Sequence, residues 1–209
     1  MMHDVRPTLV FLAVMTALLG FAYPLAVAGL AQVLFPFQAG GSLIQDRDKT
    51  VRGSALIAQS FTRDRYFHPR PSLAGPAGFD ATASGASNLG PTDRALVDTI
   101  ARRVADARAA APGTRGKIPA DLVTASASGL DPDLSPEAAL WQVPRVARAR
   151  GLPEDRVRQV VETLRAPPQG GLLGQPRVNV LRLNLALDAL DRLPSPGAGP
   201  TAPGSGSTP

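Results

Sequence analysis

No cysteine occurs among the 209 residues, which excludes disulfides and thiolate chemistry, whether catalytic or metal-binding. Histidine is nearly as scarce, and His3 and His68 are too few for a zinc centre without an unusual set of carboxylates. Aromatic residues make up 5% of the chain, too little for a stacking platform that binds single-stranded nucleic acid. Lysine is confined to Lys49 and Lys117, so the net charge of +5 is carried by arginine. Those arginines are spread over three predicted helices. Such dispersal fits solvated helix faces and C-terminal dipole partners rather than a nucleic-acid surface.

Charge itself is missing from one region. Between Arg6 and Asp46, 39 residues carry none, and Leu9 to Phe37 is apolar almost throughout. About 20 such residues suffice to cross the hydrocarbon of a bilayer, so this stretch is read as a membrane span. Gly20 and Pro24 lie inside it, as membrane helices tolerate when neighbouring helices repair the backbone. Ala26, Val27 and Ala28 form an A-x-A pattern that would suit a cleaved signal peptide. The apolar run continues well past it, through Leu30, Val33 and Phe37, and an uncleaved anchor is expected. Counting Lys and Arg at the two flanks places the C-terminal side in the cytoplasm.

The expected fold is a mixed α+β soluble domain anchored by one N-terminal transmembrane helix. The divisions are a flank (1–6), the span (7–37), the soluble domain (38–193) and a Pro/Gly/Ser tail (194–209) too poor in apolar residues to order. Ala55 to Ile57 and Leu122 to Val123 are strand candidates. Leu96, Ile100 and Val104 mark the buried stripe of a helix after Pro91, with Arg102, Arg103 and Arg108 elsewhere on its surface. Ser135 and Pro136 open a second helix that Pro144 should kink and Gly151 should close, with Arg145, Arg148 and Arg150 in its last turns. Val157, Val160, Val161 and Leu164 mark a third, entered through Pro153. Near Val178 a short strand is expected to run into a helix facing inward with Val180, Leu183, Leu187 and Leu190.

Two loops echo one another: TASGASNLGP (Thr82 to Pro91) and TASASGLDP (Thr124 to Pro132). Each leads toward a helix, so Ser84 to Asn88 or Ser126 to Gly129 could hold an anion, although capping explains the same residues. Asp48, Lys49 and Thr50 spell DKT, the start of the P-type ATPase phosphorylation motif, but Val51 replaces its glycine. No Walker A spacing surrounds Lys117. YFHPRPS (Tyr66 to Ser72) is stiffened by Pro69 and Pro71. It reads either as a rigid surface loop or as a site in which His68 is a general base and Arg70 an anion contact.

In order along the chain, VRGSALIAQSF (Val51 to Phe61), YFHPRPS, SGASNLGP (Ser84 to Pro91), DLVTASASGLDPDLSPEAALWQVPRVARARG (Asp121 to Gly151) and GQPRVNVLRLNLALD (Gly174 to Asp188) resemble the C subunit of the Kdp potassium-transporting ATPase. Ala58 and Ala86 stand where that family usually has glycine, and Phe79-Asp80 replaces its usual Tyr-Asn. The resemblance implies a non-catalytic, single-pass inner-membrane subunit that assembles with a channel-like potassium subunit and a P-type ATPase subunit in the lipid bilayer, without nucleic acid. No cofactor of its own is implied. The family is described as a chaperone that raises ATP affinity, and Gln142 is the implied nucleotide contact, with Ser126, Ser128 and Gly129 as further candidates. Candidate partner contacts are Gly20, Gly29, Tyr66, His68, Arg70, Ser87 and Asn88. The resemblance also implies a soluble domain on the outer, periplasmic face, opposite to the flank count. The alternatives are a membrane-anchored periplasmic hydrolase using His68 and an anion- or nucleotide-binding module.

Overall fold

The computed structural model of the chain describes residues 2–46 and 48–191, and the predicted tail at 194–209 lies outside them. The described residues divide between Leu56 and Ile57 into two units.

In the first unit, helix α1 (Met2–Met15), a π-helical turn (Thr16–Ala22) and helix α2 (Tyr23–Leu34) form one helical run. Pro24 explains the wide turn. Its ring would crowd the carbonyl of Gly20, four residues earlier. The backbone widens there, and the Tyr23 N–H donates to Leu18 O, five residues back. From Val5 to Leu34 the run spans 30 residues, an 18-residue stretch of it has a mean hydropathy of 2.1 and none of its side chains is buried, so it is long and apolar enough to cross a membrane. The A-x-A pattern falls inside α2. A short helix α3 (Pro36–Ala39) follows, then an antiparallel hairpin of β1 (Leu43–Gln45) and β2 (Val51–Ser54) that pairs Leu43 with Ser54 and Ile44 with Gly53. The DKT residues form part of its turn, where Lys49 takes a left-handed φ of 58°. Ala55 and Leu56, expected in a strand, instead turn away after β2, and the strand lies just before them.

The second unit is built on helices α4 (Arg94–Ala110), α5 (Pro136–Arg150), α6 (Glu154–Thr163) and α7 (Val180–Asp191), with strands β3 (Asp133–Leu134), β4 (Arg165–Ala166) and β5 (Arg177–Asn179). The sheet is antiparallel in the order β3-β5-β4. Helix α5 begins as its sequence demands: Ser135 Oγ accepts from Ala138 N at 3.2 Å, and Pro136 occupies the first turn. It runs through Pro144 as one element and ends at Gly151, φ 66°, with Leu152 N closing on Ala147 O at 3.0 Å. Strand β5 passes directly into α7, where Asn179 Oδ1 caps Arg182 N at 3.1 Å. Val143 and Val146 of α5, Val157 and Val161 of α6, and Leu183 and Leu187 of α7 meet Leu134, Val178 and Phe67 in one core.

Three expectations need correction. Leu122 belongs to a 3-10 turn (Ala120–Leu122) rather than a strand. On α4 the inward face runs through Leu96, Ile100, Arg103 and Ala107, so Val104 is exposed and Arg103 is turned inward, where its Nη1 donates to Val123 O at 3.2 Å. Arg145 and Arg150 are not solvated: Arg145 is 5% exposed, and the Arg150 side chain is wholly covered.

Candidate functional site

The site is organised by residues 66–72, which form no helix or strand and therefore must find partners for their peptide groups elsewhere. Two amide side chains supply them. Asn184 of α7 accepts from Phe67 N at 2.8 Å and donates to Phe67 O at 3.0 Å. Gln142 of α5 does the same for His68, accepting at 2.8 Å and donating at 3.0 Å. Each amide thus satisfies both polar groups of one residue, in a region where a buried peptide group left unpaired costs about 1–3 kcal/mol. Gln142 has no capacity left, because Oε1 also accepts from Arg145 Nη2 at 2.7 Å and Nε2 also donates to Ala138 O at 3.4 Å. YFHPRPS is therefore no surface loop. Phe67 is fully buried, and the segment is strapped to both helices.

Its neighbours extend the strap. Tyr66 donates to Asp188 at 3.2 Å, and its ring lies 5.2 Å from the guanidinium of Arg150, which itself pairs with Asp188 at 2.9 Å and Asp191 at 2.6 Å. Arg70 pairs with Asp131 at 3.1 Å and donates to Ala125 O at 3.3 Å. Ser72 Oγ donates to Gly129 O at 2.6 Å and accepts from Phe79 N at 2.7 Å. Phe79 sits at a φ of 59°, a strained position for an aromatic residue.

The two echoing loops are brought together. Ser84 Oγ and Gly85 N both donate to Ser128 O, at 3.0 and 2.9 Å. Gly129 has a φ of 69°, and a Cβ there would lie 2.7 Å from Ala74 N and Gly85 O, so only glycine fits. Ser126 and Ser87 line one cleft, but Asn88 is exposed, and Ser128 Oγ and Ser87 Oγ each accept from the backbone two residues ahead. Neither loop forms a helix N-terminus. Asp93 caps α4 by accepting from Ala95 N at 2.7 Å, and Ser135 caps α5 after β3. Ala58 is buried and donates from its N–H to Leu130 O.

A second cleft, of about 400 Å³, opens between α4, α5 and the strap. Phe61, Phe79 and Trp141 give it apolar walls, and Arg70, Arg103, Arg145 and His68 give it polar ones. Burial, and then Arg145, push the His68 imidazole below its ordinary value, against the Arg63 carbonyl and Asp64. The ring is thus neutral at physiological pH. Its Nε2 lies 3.2 Å from Arg63 O and 3.4 Å from Arg145 Nη1, contacts unlike those of a base held between a serine and a carboxylate. Burial also lowers Arg145, with Asp64 opposing. Two donors of residues that line the cleft, Arg70 Nε and Trp141 Nε1, are buried without a partner and have no surface open to it. Among the described residues no cluster of His, Cys, Asp and Glu could hold a metal ion.

Asn184, and the buried role of Arg145, escaped the sequence reading, although each left a signal. Asn184 lies four residues after Val180, on the inward stripe of α7, and Arg145 lies between Val143 and Val146 on that of α5. A polar side chain on an apolar stripe marks a buried hydrogen-bond partner.

The family described as K+-transporting ATPase, c chain, matches residues 5–189. The potassium-transporting ATPase KdpC subunit of Rhodospirillum rubrum is 61% identical over 188 residues, covering 90% of this chain and 96% of that one. That of Polaromonas naphthalenivorans is 55% identical, covering 94% and 100%, and that of Rhodopseudomonas palustris 54%, covering 90% and 98%. With the strap, the paired loops and the apolar N-terminal helix all inside the matched span, the chain belongs to the KdpC family of potassium-transporting ATPase subunits.

Proposed function

We propose that this chain is a non-catalytic accessory subunit of an ATP-driven potassium importer. It is anchored by its first helix, with the soluble domain on the outer face, and it supports complex assembly and potassium entry beside a channel-like subunit and an ATPase subunit. Any effect on ATP affinity is then transmitted through the ATPase subunit. One observation carries this reading: all four hydrogen-bonding positions of the Gln142 amide are taken by the protein's own groups, so nucleotide could reach it only by breaking the strap.

Gln142→Ala separates the two roles. Three lost bonds to His68 and Arg145 should destabilise the domain by about 2–4 kcal/mol and lower the yield of complex. Complexes that do assemble should keep their ATP requirement. A raised ATP requirement at normal yield, together with loss of nucleotide crosslinking to this chain, would restore direct contact.

A further inference from the structure

Helix α4 carries two apolar stripes, and the fold uses one of them. Leu96, Ile100 and Ala107 turn inward with Arg103, yet no residue of this 17-residue helix is buried. On a second side Val97 and Val104 are 55% and 37% exposed, and Ala101 and Ala105 are exposed beside them. Spacings of three and four residues put these four on one face.

Along one flank of that face run Arg94, Asp98, Arg102 and Asp106, alternating in sign at every fourth residue. A lone helix gains little from this order. Ion pairs at that spacing favour the acid N-terminal to the base, whereas Arg94 precedes Asp98 and Arg102 precedes Asp106. Arg94 and Asp98 approach only to 3.9 Å, with side chains 92% and 65% exposed. The one favourable order, Asp98 before Arg102, is not used, because Arg102 Nη2 donates to Thr99 Oγ1 at 3.3 Å instead. Among the described residues Asp106 has no ion-pair partner, and it is exposed. Arg94 is also the first residue of the helix, where the helix's own dipole disfavours a cation.

The same series is complementary to itself. Reversed, it reads Asp, Arg, Asp, Arg, so in an antiparallel pair centred near residue 100 each Arg94 lies against the other copy's Asp106 and each Asp98 against its Arg102. A parallel pair in register would set like charges together. The same centre brings Val97 beside the other copy's Val104 and puts Ala101, small enough for close approach, next to the twofold axis. With that axis perpendicular to the two helices, charges meet charges along one flank and valines meet valines along the other. The end that carries Arg94 then also lies against the negative C-terminal end of its neighbour. We infer that the exposed face of α4 pairs antiparallel with the same face of a second copy of this chain. A face one helix wide falls below the roughly 1,200–2,000 Å² of stable interfaces, so the pairing is weak and reversible. It goes beyond the potassium role and does not depend on it.

The chain contains no cysteine, so a single introduced one reports on this face directly. Full chain carrying Ala101→Cys, held in detergent, is treated with a short bis-maleimide, and Leu172→Cys, at a residue 89% exposed on a turn, serves as the collision control. Ala101→Cys should give cross-linked dimer at least about fivefold above the control, and less of it at about 1 M salt, where charges are screened within about 3 Å. Added to Ala101→Cys, the pair Arg94→Asp and Arg102→Asp makes the flank wholly acidic, and the pair Asp98→Arg and Asp106→Arg makes it wholly basic. Either set alone should lose at least about fivefold in cross-linking at an unchanged melting temperature, since all four residues are exposed, and mixing the two sets should restore it. The inference is overturned if Ala101→Cys cross-links no better than the control, if its yield ignores salt, or if either charge set alone cross-links like the parent. It is overturned equally if the mixture recovers nothing beyond the separate sets, or if in native membranes the cysteine joins a different protein and never a second copy.

Discussion

Leu183 and Leu187 of α7 are wholly buried, whereas Leu25 and Val33 of α2 are 70% and 77% exposed, although both helices are built from the same aliphatic residues. In α7 the apolar side chains recur on one stripe, and α5, α6 and β5 cover that stripe. In the N-terminal run they surround the helix on every side, and its own unit covers none of them. Burying a leucine is worth about 1.5–3 kcal/mol relative to leaving it in water, and a run this long, apolar on every side, is suited to the hydrocarbon of a bilayer. Polar residues show the same contrast. The core of the second unit admits Gln142, Asn184 and Arg145 because every peptide group they meet needs a partner, while Val5 to Leu34 holds a lone charge near its start, Arg6.

Leu183→Ala probes the buried side of this contrast and has the largest expected effect, a loss of about 2–5 kcal/mol in denaturant unfolding of the second unit followed by Trp141 emission. Leu25→Ala, on the exposed side, should leave that transition within about 0.5 kcal/mol. Equal losses for the two would break the comparison.

Replacing Gly20 and Gly29 with leucine tests whether the exposed run serves a partner helix. A Cβ at Gly29 would meet nothing within 4 Å and one at Gly20 only Thr16 Cγ2 at 3.7 Å, so the chain's own packing does not require either glycine. Small residues let membrane helices approach closely. The double variant should insert normally, melt like the parent and fail to copurify with the other subunits. Full copurification would remove these glycines from the docking face.

The smallest effect is expected from His68. Its folded value is lowered from an ordinary 6.5 by burial and by Arg145, so below pH 6.5 the unfolded chain binds a proton that the native imidazole resists. The stabilisation is therefore complete above that pH and is lost as pH falls toward the lowered value. The stability of the parent minus that of His68→Gln should decline on acidification through this window. A difference that is flat or that rises on acidification would show the imidazole to be charged in the native state.

Helix ends were legible because they rest on local chemistry: Ser135, Pro136 and Gly151 act on groups within a turn of themselves. The strand-to-helix passage at Val178 was legible for a similar reason, a change of period over few residues. What escaped depends on contacts distant in sequence. Nothing in YFHPRPS announces that Asn184, 117 residues away, will hold Phe67. The inward turn of Arg103 was hidden by Val104, which continued an every-fourth-residue pattern one step too far, whereas the real face shifts by the 3.6-residue period. Likewise the two serine-rich loops suggested ligand cradles from local sequence, and they meet each other instead.

The outer location of the soluble domain is the claim on which the accessory role most depends. A cysteine-free chain allows a direct measurement, and the structure selects the position. Ser72, loop-like in sequence, holds Gly129 and Phe79 and is unsuited to substitution. Leu172 is 89% exposed on the turn between β4 and β5. With Leu172→Cys in the assembled complex, a membrane-impermeant thiol reagent applied to intact spheroplasts should label this chain as fully as it does after lysis. Labelling only after lysis would place the domain in the cytoplasm, contradict the account and return Gln142 to the reach of nucleotide.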